Sequence, residues 1–285
     1  MTTIEFTKLQ GLGNDFLIME VDDVRNLPDA GEIAIKLCER NYGAGADGIV
    51  YISHTAQVEA EFASRIFNAD GSEAEVSGNG TRCAAAYIYH RGLWSEPEIG
   101  IATQAGVKLG RPVSREGALF EFEFDMGEPK FSSSDLQMAL PRPLERVVGY
   151  CLNIGDETVE VTCVSMGNPH CAIFLPTLDG VNLAETGPLI EGHPVFPNHT
   201  NVEFAHAISR EEIEVMFWER GVGRTNSSGT GSCGSAVAAM LNGLTDRNIR
   251  VRTAGGLLRV NWREDNRVML TGTAEVLYEG RWLKD

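Results

Sequence analysis

Two short glycine loops are the segments of the sequence whose residues could do chemistry. They are Ser77-Gly78-Asn79-Gly80 and Ser228-Gly229-Thr230-Gly231, and each runs into an alanine-rich stretch that favours a helix. A helix that begins in such a loop presents unpaired backbone N–H groups and the positive end of its dipole, and glycine lets an anion approach closely. One loop alone is equally explained as a serine N-cap. Two loops at matching positions favour a site for a substrate carboxylate.

The two loops belong to an internal duplication. Their serines are 151 positions apart, and the same offset separates Phe67-Asn68 from Trp218-Glu219. Gly13-Asn14 and Gly167-Asn168 each follow a strand-like run and are 154 positions apart. A nearly constant offset at several landmarks indicates two halves built on one plan. We therefore expect the two loops to hold one α-carboxylate between two helix ends.

Each loop is placed by a strand before it and a helix after it. Residues 58–67 and 211–219 mix alternating polarity with β-branched and aromatic side chains, which is typical of strands. Residues 81–89 and 232–241 are rich in alanine and lack proline, which indicates helices. Short strands with glycine turns follow late in each half. The sequence predicts paired α+β units with a boundary near Met126-Gly127-Glu128-Pro129.

Composition restricts the possible partners. The 285 residues include 24 basic and 40 acidic side chains, a net charge of −16, which disfavours binding to nucleic acid or to anionic lipid. No secretory signal or run of 18 apolar residues occurs, so we expect a cytoplasmic protein. Dinucleotide and phosphate-loop motifs are absent, as is metal-ligand spacing, so we predict no cofactor and no metal. Six cysteines without a C-x-x-C pair are interpreted as small buried side chains.

Several further motifs, in order along almost the whole chain, resemble those of diaminopimelate epimerases. They are Gly11-Leu12-Gly13-Asn14-Asp15-Phe16, Gly45-Ala46-Asp47-Gly48, Asn68-Ala69-Asp70-Gly71-Ser72-Glu73, Gly78-Asn79-Gly80-Thr81-Arg82-Cys83, Gly167-Asn168-Pro169-His170, Asn201-Val202-Glu203-Phe204, Glu219-Arg220-Gly221 and Gly229-Thr230-Gly231.

The resemblance implies a fold and an activity. The fold would consist of two pseudo-symmetric halves, each a curved, barrel-like mixed sheet around a central helix. Because the final strand would return to the first half, the halves would comprise residues 1–126 with 273–285, and residues 127–272. The activity would be cofactor-independent, two-base epimerisation of LL-diaminopimelate to meso-diaminopimelate, a step toward lysine and peptidoglycan precursors. The partner would be this small amino acid, and the protein would be a homodimer.

The resemblance also implies roles for individual residues. Recognition of the zwitterionic far end of the substrate would fall to Asn14, Asn68, Asn168, Asn201, Glu219 and Arg220. The carboxylate at the reacting centre would rest on the N–H groups of Gly78, Asn79, Gly229 and Thr230. His170 and Glu219 would tune the catalytic pair.

These residues could also be explained by structural roles alone. The asparagines could begin turns or a strand, since asparagine is common there. The pair Glu219-Arg220 could be an exposed ion pair of little energetic value. His170 could be an ordinary core histidine.

The sequence departs from the family at the reacting groups, because Ser77 and Ser228 stand where the family has a cysteine pair. A thiol has a pKa of about 8.5, which falls to roughly 3.5–7.5 at a helix N-terminus. A hydroxyl is far less acidic and supplies little base. Cys83 and Cys233 lie more than a helical turn further on, so they do not obviously replace the pair.

Three explanations of the serines remain open. The chain could be a natural branch in which His170, Glu219 or water activates a serine. It could be a designed double replacement, or a descendant that binds substrate without catalysis. Two alternative functions also remain, a racemase or isomerase of another amino acid such as proline, and a non-catalytic amino-acid binding protein. A substrate without a second charged end would leave the asparagines and Arg220 unpaired.

Overall fold

The chain divides into two units in the computed structural model, which describes residues 2–155 and 157–284. Unit 1 comprises Met1–Phe124 and Thr271–Asp285, and unit 2 comprises Asp125–Leu270. The last segment of the chain therefore belongs to the first unit. Within the described ranges, none of the helices has the length and apolar character needed to cross a lipid bilayer.

Unit 1 contains the early strands, two helices and most of the last strand. Its elements are β1 (Thr2–Gly11), β2 (Asn14–Glu20), α1 (Ala30–Cys38), β3 (Gly48–His54), β4 (Phe62–Asn68), β5 (Glu73–Ala74), α2 (Gly78–His90), β6 (Ile99–Thr103), β7 (Gly106–Glu116), β8 (Leu119–Asp125) and β17 (Val268–Lys284).

The strands of unit 1 close into a ring around α2. β1 pairs antiparallel with β2, β2 runs parallel to β3, β3 pairs antiparallel with β4, and β4 runs parallel to β6. β7 and β8 follow in antiparallel order, and β17 pairs with both β8 and β1. The central helix contacts β1, β2, β3, β4 and β6. Its alanine-rich middle is fully buried, because small side chains leave room for a helix inside the curved sheet.

Unit 2 contains the remaining strands and two further helices. Its elements are β9 (Tyr150–Ile154), β10 (Glu157–Ser165), β11 (Pro169–Phe174), α3 (Leu183–Glu191), β12 (Asn201–Ser209), β13 (Glu212–Glu219), β14 (Gly223–Thr225), α4 (Gly229–Leu241), β15 (Asn248–Thr253) and β16 (Gly256–Trp262).

The sheet of unit 2 follows the same alternation. β9, β10 and β11 are antiparallel neighbours, β11 runs parallel to β12, β12 pairs antiparallel with β13, β13 runs parallel to β15, and β15 pairs antiparallel with β16. α4 contacts β10, β11, β12, β13, β15 and β16. Residues 231–239 of α4 are buried, so this helix is the core of the unit.

The predicted α+β class, with a curved mixed sheet around a central helix in each half, is confirmed. Both central helices begin three residues earlier than predicted, directly after Ser77 and Ser228. The reason is local, because each serine has extended backbone angles and its side chain caps the first turn. The glycines that follow therefore belong to the helices rather than to the loops.

Candidate active site

The N-terminus of α2 in unit 1 is capped by Ser77. Its hydroxyl accepts a hydrogen bond from the Gly80 N–H at 3.1 Å, and its carbonyl accepts one from the Thr81 N–H at 2.8 Å. Helix geometry leaves the N–H groups of Gly78 and Asn79 without acceptors inside the helix. Together with the helix dipole, these two donors form a position suited to an anion. Ser77 itself is half-buried.

A tight hairpin presents Asn14 beside this helix start. Leu12 and Gly13 join β1 to β2 with φ values of 56° and 79°, as a two-residue hairpin turn of the primed type requires. The Asn14 Nδ2 donates to Asp47 Oδ2 at 2.7 Å, and its Oδ1 accepts from Asn79 Nδ2 at 3.2 Å. Both ends of the Asn14 amide are therefore held, and Asn14 is the first residue of β2 rather than part of the turn.

The side chains that anchor these asparagines received no role from the sequence. Arg82 is 1% exposed and donates to Asn79 Oδ1, and Asp47 accepts from Asn14. Both residues lie within motifs recognised in the sequence, so the only available signal was their place there. An arginine in the second turn of an otherwise alanine-rich helix is the clearer of the two signals.

An ion-pair network stabilises the same corner of unit 1. Asp15 contacts Lys8 at 2.8 Å and Arg40 at 3.0 Å, and Arg40 also reaches Asp47 at 2.8 Å. Burial raises the pKa of Asp15, but the hydrogen bonds and charges of Arg40 and Lys8 outweigh it and lower that pKa to about 2. The Asp15 carboxylate is consequently held in its charged form.

Asn68 lies at the exposed end of β4 and shapes a turn. Its Nδ2 donates to Ser72 Oγ at 2.9 Å, and its carbonyl accepts from the Gly71 N–H at 2.9 Å. These contacts agree with the turn explanation. The contact between Asn68 and the substrate stays a prediction.

Ser228 caps α4 in unit 2 in the same manner as Ser77 caps α2, but its hydroxyl has a further partner. It accepts from the Gly231 N–H at 3.3 Å and donates to Glu219 Oε2 at 3.0 Å. Ser228 is buried, and Glu219 ends β13. The helix start again leaves the N–H groups of Gly229 and Thr230 for an anion. A hydroxyl in contact with a carboxylate can pass its proton to that carboxylate.

His170 lies in a buried chain of polar contacts in unit 2. Its Nδ1 is 2.6 Å from Glu203 Oε1 and its Nε2 is 3.0 Å from Asn168 Oδ1. The Asn168 Nδ2 donates to Thr230 Oγ1 at 3.4 Å. Burial raises the pKa of the Glu203 carboxyl, whereas the charge and hydrogen bond of His170 lower it, and the charge of Glu219 raises it further. Glu203 had no predicted role, although a glutamate within a buried strand is itself a signal.

Asn201 and Arg220 form a second contact group in unit 2. The Asn201 Nδ2 donates to the Pro169 carbonyl at 2.8 Å, and its Oδ1 accepts from the Arg220 N–H at 3.0 Å. The Arg220 guanidinium is exposed and donates to the Asn198 carbonyl at 3.2 Å. Among the predicted polar residues of unit 2, Glu219 and Asn168 therefore contact the start of α4, whereas Asn201 and Arg220 contact each other and neighbouring backbone carbonyls.

Comparison with known proteins identifies the family. The profile of the diaminopimelate epimerase family matches residues 6–132 and 162–277. The diaminopimelate epimerase of Pelotomaculum thermopropionicum is 42% identical over 280 residues, which cover 98% of this chain and 99% of the relative. The chain belongs to the diaminopimelate epimerase family. The resemblance inferred from the sequence motifs is thereby confirmed.

Solved structures support the same fold at lower identity. A phenazine biosynthesis protein of the PhzF family from Bacillus anthracis has a TM-score of 0.68 and 18% identity, with 100% of both chains covered. A probable proline racemase from Agrobacterium radiobacter K84 has a TM-score of 0.70 and 14% identity, with 99% of this chain and 93% of that chain covered. These likenesses show the fold that diaminopimelate epimerases share with other proteins.

The thiols of this diaminopimelate epimerase family member lie away from the two helix caps. Cys83 and Cys233 are completely buried, and burial raises the pKa of Cys83 to about 12. A thiol with so high a pKa supplies almost no thiolate at neutral pH. Cys151 is exposed, so the expectation that all six cysteines are buried was wrong. Within residues 2–155 and 157–284, no group of three His, Cys, Asp or Glu side chains could hold a metal ion.

Proposed function

We propose that the chain is a cofactor-independent amino-acid epimerase that interconverts LL- and meso-diaminopimelate. The observation that carries the proposal is its 42% identity, over almost its whole length, to a diaminopimelate epimerase. The polar residues that the resemblance assigns to the substrate's far end are all present. They are Asn14, Asn68, Asn168, Asn201, Glu219 and Arg220.

The two helix starts support binding of a carboxylate at the reacting centre. Removing an α-proton places negative charge on the neighbouring carboxylate, and donors already aimed at that charge lower the barrier. Gly78 and Asn79 offer two such N–H groups in unit 1, and Gly229 and Thr230 offer two in unit 2. Helix dipoles add to the effect, because each presents its positive end.

The contact between Ser228 and Glu219 supports proton removal by a serine. In the proposed step the Cα–H bond breaks as its proton moves to Ser228 Oγ, while the Ser228 hydroxyl proton moves to Glu219 Oε2. Negative charge passes from the Glu219 carboxylate to the carboxylate of the substrate, and no free alkoxide forms. The 3.0 Å contact suits this relay.

Proton return is assigned to Ser77. Its hydroxyl donates to the opposite face of the α-carbon, and solvent restores the proton, since Ser77 is half-buried. The position that corresponds to Glu219 in unit 1 is Asn68, at the same offset of 151, and an amide cannot act as a base. Proton removal by Ser77, which epimerisation in the opposite direction requires, is therefore the slower of the two proton removals.

Solvent-deuterium incorporation into LL-diaminopimelate tests the function. The chain, incubated with substrate in D2O, should label the α-carbon and form meso product, measured by mass spectrometry and chiral separation. The matched control is Ser77→Ala with Ser228→Ala, which removes both hydroxyls and should abolish labelling. A protein that binds diaminopimelate without labelling it would be a binding protein. One that labels proline instead would be a racemase of that substrate.

Assembly and location complete the proposal. The resemblance supports a homodimer, and light scattering of the purified chain would measure its mass. It also supports a cytoplasmic enzyme of lysine and peptidoglycan precursor synthesis, which cell fractionation would check.

A further inference from the structure

Two members of the polar chain in unit 2, His170 and Glu203, occupy positions that are apolar in the other unit. In unit 1 the parallel strands β2 and β3 pair Phe16 with Gly48, and in unit 2 the parallel strands β11 and β12 pair His170 with Asn201. Val50 lies two residues after Gly48 on β3, and Glu203 lies two residues after Asn201 on β12. Glu203 and His170 thus correspond to Val50 and Phe16, both of which are buried. The duplicated fold can be built without an acid–base pair at these positions.

Burial makes the Glu203–His170 pair costly. Both side chains are 1% exposed, and the second carboxylate oxygen, Oε2, has no hydrogen-bond partner among the described residues. A buried polar atom without a partner is destabilising, and apolar residues of similar volume often serve stability equally well. A role in stability alone therefore does not explain why unit 2 keeps the pair.

α4 is shaped to accept the pair. A Cβ at Gly231 would lie 3.0 Å from Glu203 Oε1, and a Cβ at Gly234 would lie 2.8 Å from His170 Cβ. At the offset of 151, Gly234 corresponds to Cys83 in α2, which has a side chain there. Glycine in a helix interior is destabilising relative to alanine. Close packing of the helix on the pair thus comes at a local cost.

The Nε2 atom of His170, on the side of the ring away from Glu203, determines how the Asn168 amide is oriented. His170 Nε2 lies 3.0 Å from Asn168 Oδ1, and an amide oxygen only accepts, so Nε2 carries a hydrogen. Two states of the Glu203 carboxyl at Nδ1 allow a hydrogen on Nε2. In one, a carboxylate faces an imidazolium, and in the other, a carboxylic acid donates to neutral imidazole. In both states the Asn168 oxygen faces His170 and its NH2 group faces Thr230 in the first turn of α4.

We propose that Glu203 is a positioning residue that fixes the orientation of the Asn168 amide through His170, so that unit 2 offers an N–H donor to a carboxylate of the substrate. This inference rests on the proposed function for the identity of the ligand. Without a partner at Nδ1, His170 is no longer confined to a state that carries a hydrogen on Nε2. The Asn168 amide could then turn its oxygen toward the ligand and repel a carboxylate.

Two substitutions of Glu203 separate orientation from packing. Glu203→Gln keeps the shape, and its amide can donate to Nδ1 as a carboxylic acid does, so it should retain the affinity for meso-diaminopimelate within about twofold. Glu203→Leu keeps most of the volume but removes the partner, and should weaken binding about tenfold. Affinity is measured by calorimetry, which does not depend on turnover.

The transplanted pair keeps the test valid if a single variant is unstable. His170→Phe with Glu203→Val reproduces the residues of unit 1, so it should fold with a melting temperature close to that of the unaltered chain while it also loses affinity. In the proteins that keep His170, nitrogen-15 NMR of the histidine rings measures the protonation state of His170 directly. Nε2 should be protonated in the unaltered chain and in Glu203→Gln, and only partly protonated in Glu203→Leu.

Two results would overturn the inference. One is an unprotonated Nε2 in the unaltered chain, and the other is Glu203→Leu binding meso-diaminopimelate as tightly as the unaltered chain does. Failure of the proposed function gives a different result. In that case the unaltered chain would bind no diaminopimelate, while the NMR signals of His170 would still report its protonation state.

Discussion

The two capped helix starts have the same backbone and different chemistry. Ser77 and Ser228 have nearly identical backbone angles, and each hydroxyl accepts from the third N–H of its helix. Only Ser228 also donates to a carboxylate, Glu219, at 3.0 Å. At the corresponding place in unit 1, Asn68 is engaged with its own turn. Duplication therefore preserved the two capped helix starts, while the groups that could move protons are concentrated in unit 2.

The asparagines at the β1–β2 and β10–β11 hairpins also differ between the units. Asn14 donates from Nδ2 to Asp47, whereas Asn168 accepts at Oδ1 from His170. Toward the start of the central helix, the Asn14 oxygen accepts from Asn79, whereas the Asn168 NH2 group donates to Thr230, so the two amides are turned in opposite senses.

The largest effect should come from restoring both thiols. Ser77→Cys with Ser228→Cys places two thiols at helix N-termini, where their pKa falls to roughly 3.5–7.5, and epimerisation should rise about 10²–10⁴-fold. Of the single variants, Ser77→Cys should help more, because Ser228 already has Glu219 as its base. Chiral separation of products measures the rates. Equal gains from the two single variants would remove the functional difference between the serines.

Loss of the carboxylate beside Ser228 should have the next largest effect. Glu219→Gln should slow deuterium incorporation on the order of 10²-fold, because Ser228 loses the acceptor of its proton. Glu214→Gln on the same strand is the matched control and should leave the rate unchanged. If Glu219→Gln exchanges the α-proton at the original rate, Ser228 is not activated by this contact.

Arg220→Ala should weaken diaminopimelate binding by about 2 kcal/mol, because a carboxylate of the ligand loses its charged partner. Lysine, which lacks the second carboxylate, should bind both proteins equally weakly. Arg263→Ala, which removes an exposed ion pair with Asp265, is the control. Calorimetry that gives a change below about 0.5 kcal/mol would show that Arg220 acts as an ordinary surface residue.

The smallest effect concerns stability in unit 1. The pKa of Asp15 is lowered to about 2, so folding favours its charged form. This contribution is complete above the ordinary value of 3.8 and is lost as the pH falls through the folded value. At neutral pH Asp15→Asn should destabilise the protein by about 1 kcal/mol after allowance for solvent screening.

Urea unfolding at several pH values measures this difference, which should shrink between about pH 4 and pH 2. In unit 2 the position that corresponds to Asp15 is Pro169, so no equivalent contribution is expected there. A difference that stays constant through this range would show that Asp15 acts by packing rather than by charge.

Local patterns revealed the frame of the fold but not all of its elements. The S-G-x-G loops, the alanine-rich helices and the late strands were readable because capping, helix propensity and alternation act over a few residues. α1 and α3 were not predicted. Each has nine residues, α1 contains Gly31, and α3 contains Gly187 followed by Pro188, so their local propensity is weak and packing decides them.

The sequence by itself determined the family, the α+β class and the positions of the two serines, because these depend on motif order and on short-range preferences. Only the tertiary structure decided which side chains meet. Glu203 contacts His170 from 33 positions away, and Asp47 reaches Asn14 at the same separation. Such contacts depend on strand register and burial, which no local pattern contains, and they make the two duplicated halves chemically different.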